Sequence, residues 1–554
     1  MKKIVLLITL IFLFSCANKE QGYNYLEKGL MATLENKDEK EIMKNFNNAA
    51  NNGNKEVFEA VYNYFGNTQE AFFDKYTKKS KGEAEYYKAL ISSRRNDSKD
   101  KIIKLLESSI KQGNIKSYYT LGTIYQDNLE YTKAQENFKL GKSKGDIYSI
   151  YSYEYNKNYS NEYKRIEELN EKLTDNTITT NEKKEMGTLI LEKYSNYSKA
   201  YDILKEFITE GYPPAMYSKA KMLEMEDKSQ EAGEIYNILY TQKRYYLAAF
   251  EIAFKISNEG KNDTLAVRIL EDTNSDDSLI TGYKGFLYEK LKNKNKALEN
   301  YLSSIEKNDV DVMTYLGKFY ESNNEIEKAK DIYRKAYSKG SITSGYRLAY
   351  LLEEVNNKKI GLKLESTLWK IPEAKKIFET LSENGDNYST VDLSLYYPEA
   401  SKMVRVLNLK AAIQGNATAF NNLGIYYYQK KNIEKSKFWF KKAKEYGFEA
   451  YVELFKALAE QRHYDGKKDD IFNMSGTSLN PNPDKTLSRA DSIELAAELF
   501  SACITATTKI DKSAIPPAPS DVDGLRVILQ AFEFESDGFV DYCKGEYSED
   551  KALE

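Results

Sequence analysis

The amino-acid sequence predicts an all-α fold, an α-solenoid of about a dozen stacked helix hairpins with a small helical C-terminal module. The chain has 554 residues, which is longer than a domain with a single hydrophobic core usually is. Only 9 prolines accompany 30% charged and 13% aromatic residues, a composition that suits helices with packed cores. A spacing pattern then repeats along most of the chain, as in arrays of helix hairpins.

The repeat is clearest between residues 316 and 340. Leu316 belongs to the packed face of a first helix, while Ala329 and Tyr333 lie four residues apart on one face of a second helix. Gly317 and Ala329 are small, which lets the two helices approach closely. Gly340 can take the left-handed conformation that ends the second helix. One hairpin cannot bury its apolar face alone, so neighbouring hairpins must stack.

Further copies share these offsets, and together they predict a repeat array over 23–462. The copy that begins at Leu348 carries an insertion at 356–368, which is expected to bulge from a turn. The copies cover 29–53, 58–82, 89–113, 121–145, 153–166, 187–211, 219–236, 253–266, 284–301, 316–340, 348–385, 391–415 and 423–447.

The pattern resembles the tetratricopeptide repeat and its close relative, the Sel-like repeat. The residues that match the signature positions are Leu316, Gly317, Tyr320, Ala329, Tyr333 and Ala336. This resemblance implies that the first helices line a concave groove that binds peptide or helical segments of other proteins. The candidate partner-binding residues of this groove are Tyr119, Thr123, Lys318, Glu321, Asn421, Ile425 and Tyr428. The alternative for each of them is an exposed side chain with no such role.

The N-terminus predicts export and lipid attachment. Lys2 and Lys3 precede an apolar run at 4–14, which is too short to span a bilayer and is typical of a signal peptide, here 1–15. The stretch 13–16, Leu-Phe-Ser-Cys, resembles the lipobox of bacterial lipoproteins, which implies acylation of Cys16. Residues 16–22 would then form a lipidated tether. An ordinary signal peptide with a chance cysteine is the alternative.

The C-terminal part differs in character from the repeats. Turn-forming residues predict a linker at 463–486, and 487–554 is expected to form a helical module or a cap on the array. Cys503 and Cys543 are candidates for a disulfide bond, with two buried free thiols as the alternative.

The usual catalytic constellations are absent from the sequence. The single histidine, His463, has no serine elbow, phosphate-binding loop or cysteine pair to accompany it, so we predict no catalytic residue, no metal site and no cofactor. The formal charge of -3 offers no excess of positive charge for nucleic acid.

These observations predict a non-enzymatic scaffold or adaptor lipoprotein of the bacterial cell envelope. Its lipid is expected at the outer membrane if the cell has two membranes, and otherwise at the outer face of the cell membrane; its partners are expected to be envelope proteins. The alternative function places a ligand-binding or hydrolytic activity in 487–554, with the repeats as a presentation arm.

Overall fold

The structure is a computed structural model that describes residues 2–447 except 261, 360–368 and 399, and the side chains of 2–17 and 357–359 are also outside the description. Within these residues the chain forms helices and no strands, so the predicted all-α fold of stacked helix hairpins is confirmed. The predictions for His463, Cys503, Cys543, the linker and the C-terminal module lie outside the described residues, as does most of the predicted insertion.

The helices follow one another through short turns. The first thirteen are α1 (Lys2–Leu34), α2 (Glu39–Asn51), α3 (Glu56–Phe65), α4 (Glu70–Tyr76), α5 (Glu83–Arg94), α6 (Lys99–Lys111), α7 (Lys116–Asp127), α8 (Tyr131–Ser143), α9 (Ile147–Lys157), α10 (Ser160–Thr174), α11 (Thr180–Tyr194), α12 (Tyr197–Leu204) and α13 (Pro213–Met225). The next are α14 (Ser229–Lys243), α15 (Tyr246–Asn258), α16 (Asp263–Glu271), α17 (Ser278–Lys290), α18 (Lys294–Glu306), α19 (Val310–Ser322), α20 (Ile326–Ser338), α21 (Ile342–Lys359), α22 (Pro372–Glu383), α23 (Asn387–Leu393), α24 (Lys402–Ala412), α25 (Ala417–Gln429) and α26 (Ile433–Glu445).

The hairpins close as the repeat spacing predicts. Gly317 of α19 faces the ring of Tyr333 on α20, and a Cβ atom added to Gly317 would lie only 2.3 Å from that ring. Gly340 ends the second helix with a φ of 93°, the predicted left-handed conformation. The same glycine-to-aromatic contact joins Gly29 to Phe46, Gly122 to Phe138, Gly285 to Tyr301 and Gly424 to Phe440.

The chain divides into two compact units. Among the described residues, the terminal unit consists of those before 65 and those from 387 to 447, and the middle unit consists of those from 65 to 386. The terminal unit therefore joins the first hairpin of the chain to the hairpins near residue 400. The repeat spacing relates each hairpin only to the next one along the chain. It therefore does not predict that the first hairpin packs against hairpins near residue 400.

A buried carboxylate connects the two segments of the terminal unit. Glu27 on α1 is 0% exposed, and its Oε2 atom lies 2.6 Å from the guanidinium of Arg405 on α24 and 3.1 Å from the ammonium of Lys435 on α26. The hydroxyl of Tyr427 and the indole nitrogen of Trp439 also donate hydrogen bonds to this carboxylate. These four partners of Glu27 all come from the segment after residue 400, so the network joins the start of the chain to its later repeats.

Within the middle unit, helices far apart in sequence also meet. The backbone amide of Ile147, at the start of α9, donates a hydrogen bond of 2.9 Å to the side chain of Asn384, just after α22. The hydroxyl of Tyr151 donates to Asp311 at 3.0 Å, and Gly340 packs against the backbone of Tyr151. The middle unit thus brings the start of α9 against α19 and the ends of α20 and α22.

The residues expected to form a tether, 16–22, lie within helix α1. Glu20 forms an ion pair of 2.7 Å with Lys402, and Gly22 packs against the turn at Asn52 and Asn54. Among the described residues, no helix has the length and apolar character needed to cross a membrane.

Candidate functional site

The first helices of consecutive hairpins pack side by side in the middle unit. Helix α15 contacts α17, α17 contacts α19, and α19 contacts α21. Each of these helices uses its small residue, such as Ala253 or Gly285, to pack inside its own hairpin. The side chains on the remaining surface of these neighbouring helices form what we call the first-helix face.

A continuous row of aromatic rings crosses the first-helix face from α15 to α19, and we call it the aromatic stripe. Phe250 and Phe254 of α15 lie 5.2 Å and 5.8 Å from Tyr283 of α17, measured between ring centroids. Tyr283 lies 5.7 Å from Phe286, which lies 6.2 Å from Tyr315 of α19. These separations are typical of favourable aromatic pairs, so each ring supports the next.

The two ends of the stripe are open to solvent. Phe254 is 44% exposed and Tyr315 is 47% exposed, and the neighbouring Leu279 of α17 is 41% exposed. The rings between these ends, Tyr283 and Phe286, are half-buried. Single exposed apolar residues are common on protein surfaces, whereas apolar side chains that adjoin one another at the surface mark an interaction surface. The stripe is therefore the strongest candidate for a functional site among the described residues.

Positive charge lies beside the stripe. The ammonium of Lys318 is 5.6 Å from the ring centroid of Tyr315, and that of Lys290 is 5.8 Å from the ring of Phe286. Lys290 also forms an ion pair of 2.8 Å with Asp263, which offsets its charge. Lys318 is exposed and adds a cation–π contact at the edge of the stripe.

Negative charge lies at the start of α19. Asp309 caps this helix by accepting hydrogen bonds from the backbone amides of Asp311 and Val312, at 3.1 Å and 3.0 Å. Burial raises the pKa of Asp309 and the nearby carboxylate of Asp311 raises it further, although the amide of Val312 acts in the opposite direction. These two carboxylates lie beside the tyrosines of α9, where Asp311 accepts a hydrogen bond from the hydroxyl of Tyr151.

Two of the predicted partner-binding residues lie on α7. Tyr119 is half-buried, and its ring packs against Tyr148 and Phe138 at centroid distances of 5.4 Å and 6.1 Å. The hydroxyl of Thr123 donates a hydrogen bond of 2.8 Å to the carbonyl of Thr120 in its own helix. Both side chains therefore have contacts within the protein.

Two more of the predicted partner-binding residues lie on α19, and only one of them is exposed to solvent. Lys318 borders the aromatic stripe, whereas Glu321 is partly buried. The carboxylate of Glu321 accepts a hydrogen bond of 3.0 Å from the hydroxyl of Tyr333 and pairs with Arg347. Glu321 thus stabilises the packing of consecutive hairpins.

The last three lie on α25 of the terminal unit. Asn421 is 8% exposed, and its Oδ1 atom has no hydrogen-bond partner among the described residues. Ile425 and Tyr428 are half-buried on the same helix. The seven predicted residues therefore lie on three separate helices.

The predicted set omitted the aromatic stripe except for its neighbour Lys318. A signal for it exists in the repeat register, because Ala253, Gly285 and Gly317 are each 32 positions apart. Phe254 and Phe286 directly follow the small residue, in the column that Lys318 occupies one repeat later. Comparing this column across consecutive repeats would have found Phe254 and Phe286, and the column of Tyr283 and Tyr315 would have added two more rings.

In the part of the chain that the structure describes, no three histidine, cysteine or acidic side chains lie close enough together to hold a metal ion. The first-helix face presents aromatic rings, with the exposed ammonium of Lys318 at its edge.

Comparisons with known proteins give structural neighbours only. No protein-family model and no curated protein matches the sequence. One solved structure similar to this chain is a protective antigen of uropathogenic Escherichia coli strains with an SLR fold, at 16% identity and a TM-score of 0.32, covering 82% of this chain and 94% of that chain. A Sel1 repeat protein from Oxalobacter formigenes has 17% identity and a TM-score of 0.32, covering 41% of this chain and 99% of its own. Yeast Tom70 has 12% identity and a TM-score of 0.35, covering 73% and 99%.

Proposed function

We propose that this protein is a membrane-tethered scaffold lipoprotein of the bacterial cell envelope that binds other proteins through its first-helix face. The observation that carries the protein-binding part is the aromatic stripe, whose exposed ends at Phe254 and Tyr315 would be covered by a partner. Burying aromatic side chains is a main source of binding energy at protein interfaces, and such residues are enriched at binding hot spots.

The form of the stripe favours a helix or an extended peptide as the partner. Its rings come from three neighbouring helices, so they lie in a row rather than in a single deep pocket. A helix with apolar residues on one face, or a peptide with alternate apolar residues, matches such a row. The exposed Lys318 at one end favours an acidic group at the corresponding end of the partner.

Changing Phe254 and Tyr315 together to alanine is expected to abolish partner capture while leaving the fold intact. Each side chain is nearly half exposed, so its removal costs little packing energy. The measurement is crosslinking in intact cells, followed by purification and mass spectrometry of the captured proteins, compared between the wild type and this double variant.

Leu140→Ala is the matched control for the stripe. Leu140 is 51% exposed but lies on α8, a second helix, away from the stripe. This variant is expected to capture the same proteins as the wild type. Equal capture by the double variant, with circular dichroism spectra unchanged, would show that the stripe is not the partner site.

The membrane tether rests on the sequence of the N-terminus, where Cys16 follows a short apolar run and a serine. Changing Cys16 to serine is expected to release the protein from the membrane fraction and to abolish incorporation of radiolabelled palmitate. Several acyl chains give stable anchoring, so the wild type should sediment with membranes at high salt. A wild-type protein that remains in the aqueous phase of a detergent partition contradicts the anchor without affecting the stripe experiment.

A further inference from the structure

Three tyrosines form a row along α9 and the turn that follows it. Tyr151 and Tyr155 lie four residues apart on one face of α9, and Tyr159 comes just before α10. The ring centroids of Tyr151 and Tyr155 are 6.3 Å apart, and those of Tyr155 and Tyr159 are 5.4 Å apart. The hydroxyl of Tyr151 donates a hydrogen bond of 3.0 Å to Asp311, so the row reaches the start of α19 within the middle unit.

Three carboxylates at the starts of α17 and α19 lie close to this row. Asp277 and Asp309 are the N-cap residues of the two helices, and Asp311 lies in the first turn of α19. Burial raises the pKa of the Tyr155 hydroxyl, and the charges of these three aspartates raise it further. The acidic tyrosine surface, as we call it, consists of Tyr151, Tyr155, Tyr159, Asp277, Asp309 and Asp311.

The acidic tyrosine surface is accessible from solvent. Tyr155 is 36% exposed, and Asp311 is exposed as well. Tyr151, Asp277 and Asp309 are half-buried. A molecule that approaches from solvent can therefore touch an aromatic ring and a carboxylate at the same time.

The negative charge of this surface has no cation bound to it. Asp276, at the end of the same turn, pairs with Lys307 at 3.0 Å, whereas Asp277, Asp309 and Asp311 form no ion pair among the described residues. Burial raises the pKa of Asp309, and the charge of Asp311 raises it further, because the two carboxylates repel each other. A cation placed beside them would be attracted by both.

A cation of the chain itself shows how positive groups meet these rings. The ammonium of Lys193, on α11, lies 5.7 Å from the ring centroid of Tyr159, which is a cation–π contact. Lys193 does not balance the aspartates, because the adjacent carboxylate of Glu192 shares its charge. Burial raises the pKa of Glu192, and Lys193 acts in the opposite direction.

The acidic tyrosine surface continues into the aromatic stripe along α19. Asp311 precedes Tyr315 by four residues, and Tyr315 precedes Lys318 by three, so all three lie along one side of the helix. At a rise of about 1.5 Å per residue, Asp311 and Lys318 are roughly 10 Å apart along the helix axis. A partner that covers the stripe therefore meets carboxylates at one end and an ammonium at the other.

We propose that the acidic tyrosine surface binds an arginine-rich segment of the partner protein. The proposal rests on the protein-binding function proposed above and names the chemistry of the partner. A guanidinium can lie flat on a tyrosine ring while its N–H groups donate to a carboxylate, and this surface offers both groups side by side. The ammonium of a lysine is a point charge without a flat face, so it gains less from the rings.

The test is a fluorescence anisotropy titration of the full chain with fluorescein-labelled hexa-arginine at physiological ionic strength. We expect saturable binding to the wild type and a loss of at least about tenfold in affinity when Asp309 and Asp311 are both changed to asparagine. Asparagine keeps the helix cap at 309 and an acceptor for Tyr151 at 311, so the change removes charge alone. This variant should melt at or above the wild-type temperature, because burial and mutual repulsion disfavour the two charges.

Changing Glu231 and Glu299 together to glutamine is the matched control. Both residues are exposed on second helices, α14 and α18, and the change removes the same amount of negative charge. This variant should bind hexa-arginine as the wild type does. Equal losses in the two double variants would show that the peptide senses only the net charge of the protein and would overturn the proposal.

The contribution of the rings is tested separately. Changing Tyr155 to leucine should weaken the binding of hexa-arginine by about threefold or more, and hexa-lysine should bind the wild type more weakly than hexa-arginine by a similar factor. Undiminished affinity in Tyr155→Leu, equal affinities of the two peptides, or absent binding of hexa-arginine would each overturn the proposal.

The variant with alanine at Phe254 and Tyr315 separates this inference from the proposed function. Hexa-arginine has no apolar side chain for the stripe, so it should bind this variant and the wild type equally. If hexa-arginine fails to bind the wild type while the stripe variant still loses its partners, only the arginine-rich partner is excluded. If hexa-arginine binds as expected while the stripe variant keeps its partners, only the role of the stripe is excluded.

Discussion

Changing Glu27 to glutamine is expected to lower the free energy of unfolding of the terminal unit by about 3–5 kcal/mol. The change removes the negative charge but leaves the buried guanidinium of Arg405 and the ammonium of Lys435 in place. A buried charge without its counter-charge is strongly unfavourable. Most of the loss in free energy of unfolding therefore comes from leaving Arg405 and Lys435 without a negative partner. The measurement is urea unfolding followed by tryptophan fluorescence.

The fluorescence signal can be made specific for this network. The chain has 2 tryptophans, and the indole nitrogen of Trp439 lies 3.3 Å from the carboxylate of Glu27. A Trp369→Phe background leaves Trp439 as the only reporter. Glu20→Gln is the matched control, because Glu20 lies on the same helix and pairs with Lys402 at the surface, where a pair contributes roughly 0–1 kcal/mol. Equal effects of the two changes would show that the buried network adds nothing.

The difference in stability between the wild type and Glu27→Gln should depend on pH in a defined direction. Burial alone would raise the pKa of Glu27, but Arg405, Lys435 and the hydroxyl of Tyr427 outweigh it and hold the pKa below the ordinary value. The stabilisation is therefore complete above the ordinary carboxyl pKa of about 4.3 and is lost as the pH falls through the lower, folded-state pKa. The difference in stability between wild type and Glu27→Gln should stay constant near neutral pH and shrink in acid.

Changing Gly317 to alanine is expected to destabilise the middle unit by about 1–3 kcal/mol. The new Cβ atom would lie 2.3 Å from the ring of Tyr333, which is 0% exposed and is held by its hydrogen bond to Glu321. The ring cannot move aside without breaking that bond, so α19 and α20 must separate. Urea unfolding followed by far-ultraviolet circular dichroism measures the loss.

Gly233→Ala is the control for this prediction. Gly233 also lies inside a helix, α14, but a Cβ atom there meets nothing within 4 Å. Alanine favours the helix over glycine by roughly 0.8–1.0 kcal/mol, so this variant should be as stable as the wild type or more stable. If both variants changed stability in the same direction, the contact between Gly317 and Tyr333 would not be what closes the hairpin.

Local spacing was sufficient to predict the hairpins. The predicted approach at Gly317 and the left-handed end at Gly340 both appear in the structure, because each depends on residues fewer than thirty positions apart. The repeat register carries this information directly, since small, aromatic and turn residues recur at fixed offsets.

The longer contacts and the candidate sites could not be predicted in this way. Glu27 and Arg405 are 378 positions apart, and nothing in a single repeat indicates which distant repeat it will meet. The acidic tyrosine surface likewise depends on the contact of Tyr151 with Asp311, which lies 160 positions further along the chain. The aromatic stripe was partly predictable. The recurrence of its aromatic residues at fixed repeat offsets is visible in the sequence, but their exposure to solvent is not.

The terminal unit combines the start of the chain with a much later segment, so its contacts cannot all form until that later segment has been made. A ribosome adds about 5–20 residues each second, so Glu27 is made tens of seconds before Arg405, which is 378 positions later. During that interval helix α1 has its own hairpin neighbour but none of the side chains that later surround its carboxylate. The contacts of Glu27 with α24 and α26 can therefore form only after all the middle repeats have been made, however early α1 pairs with α2.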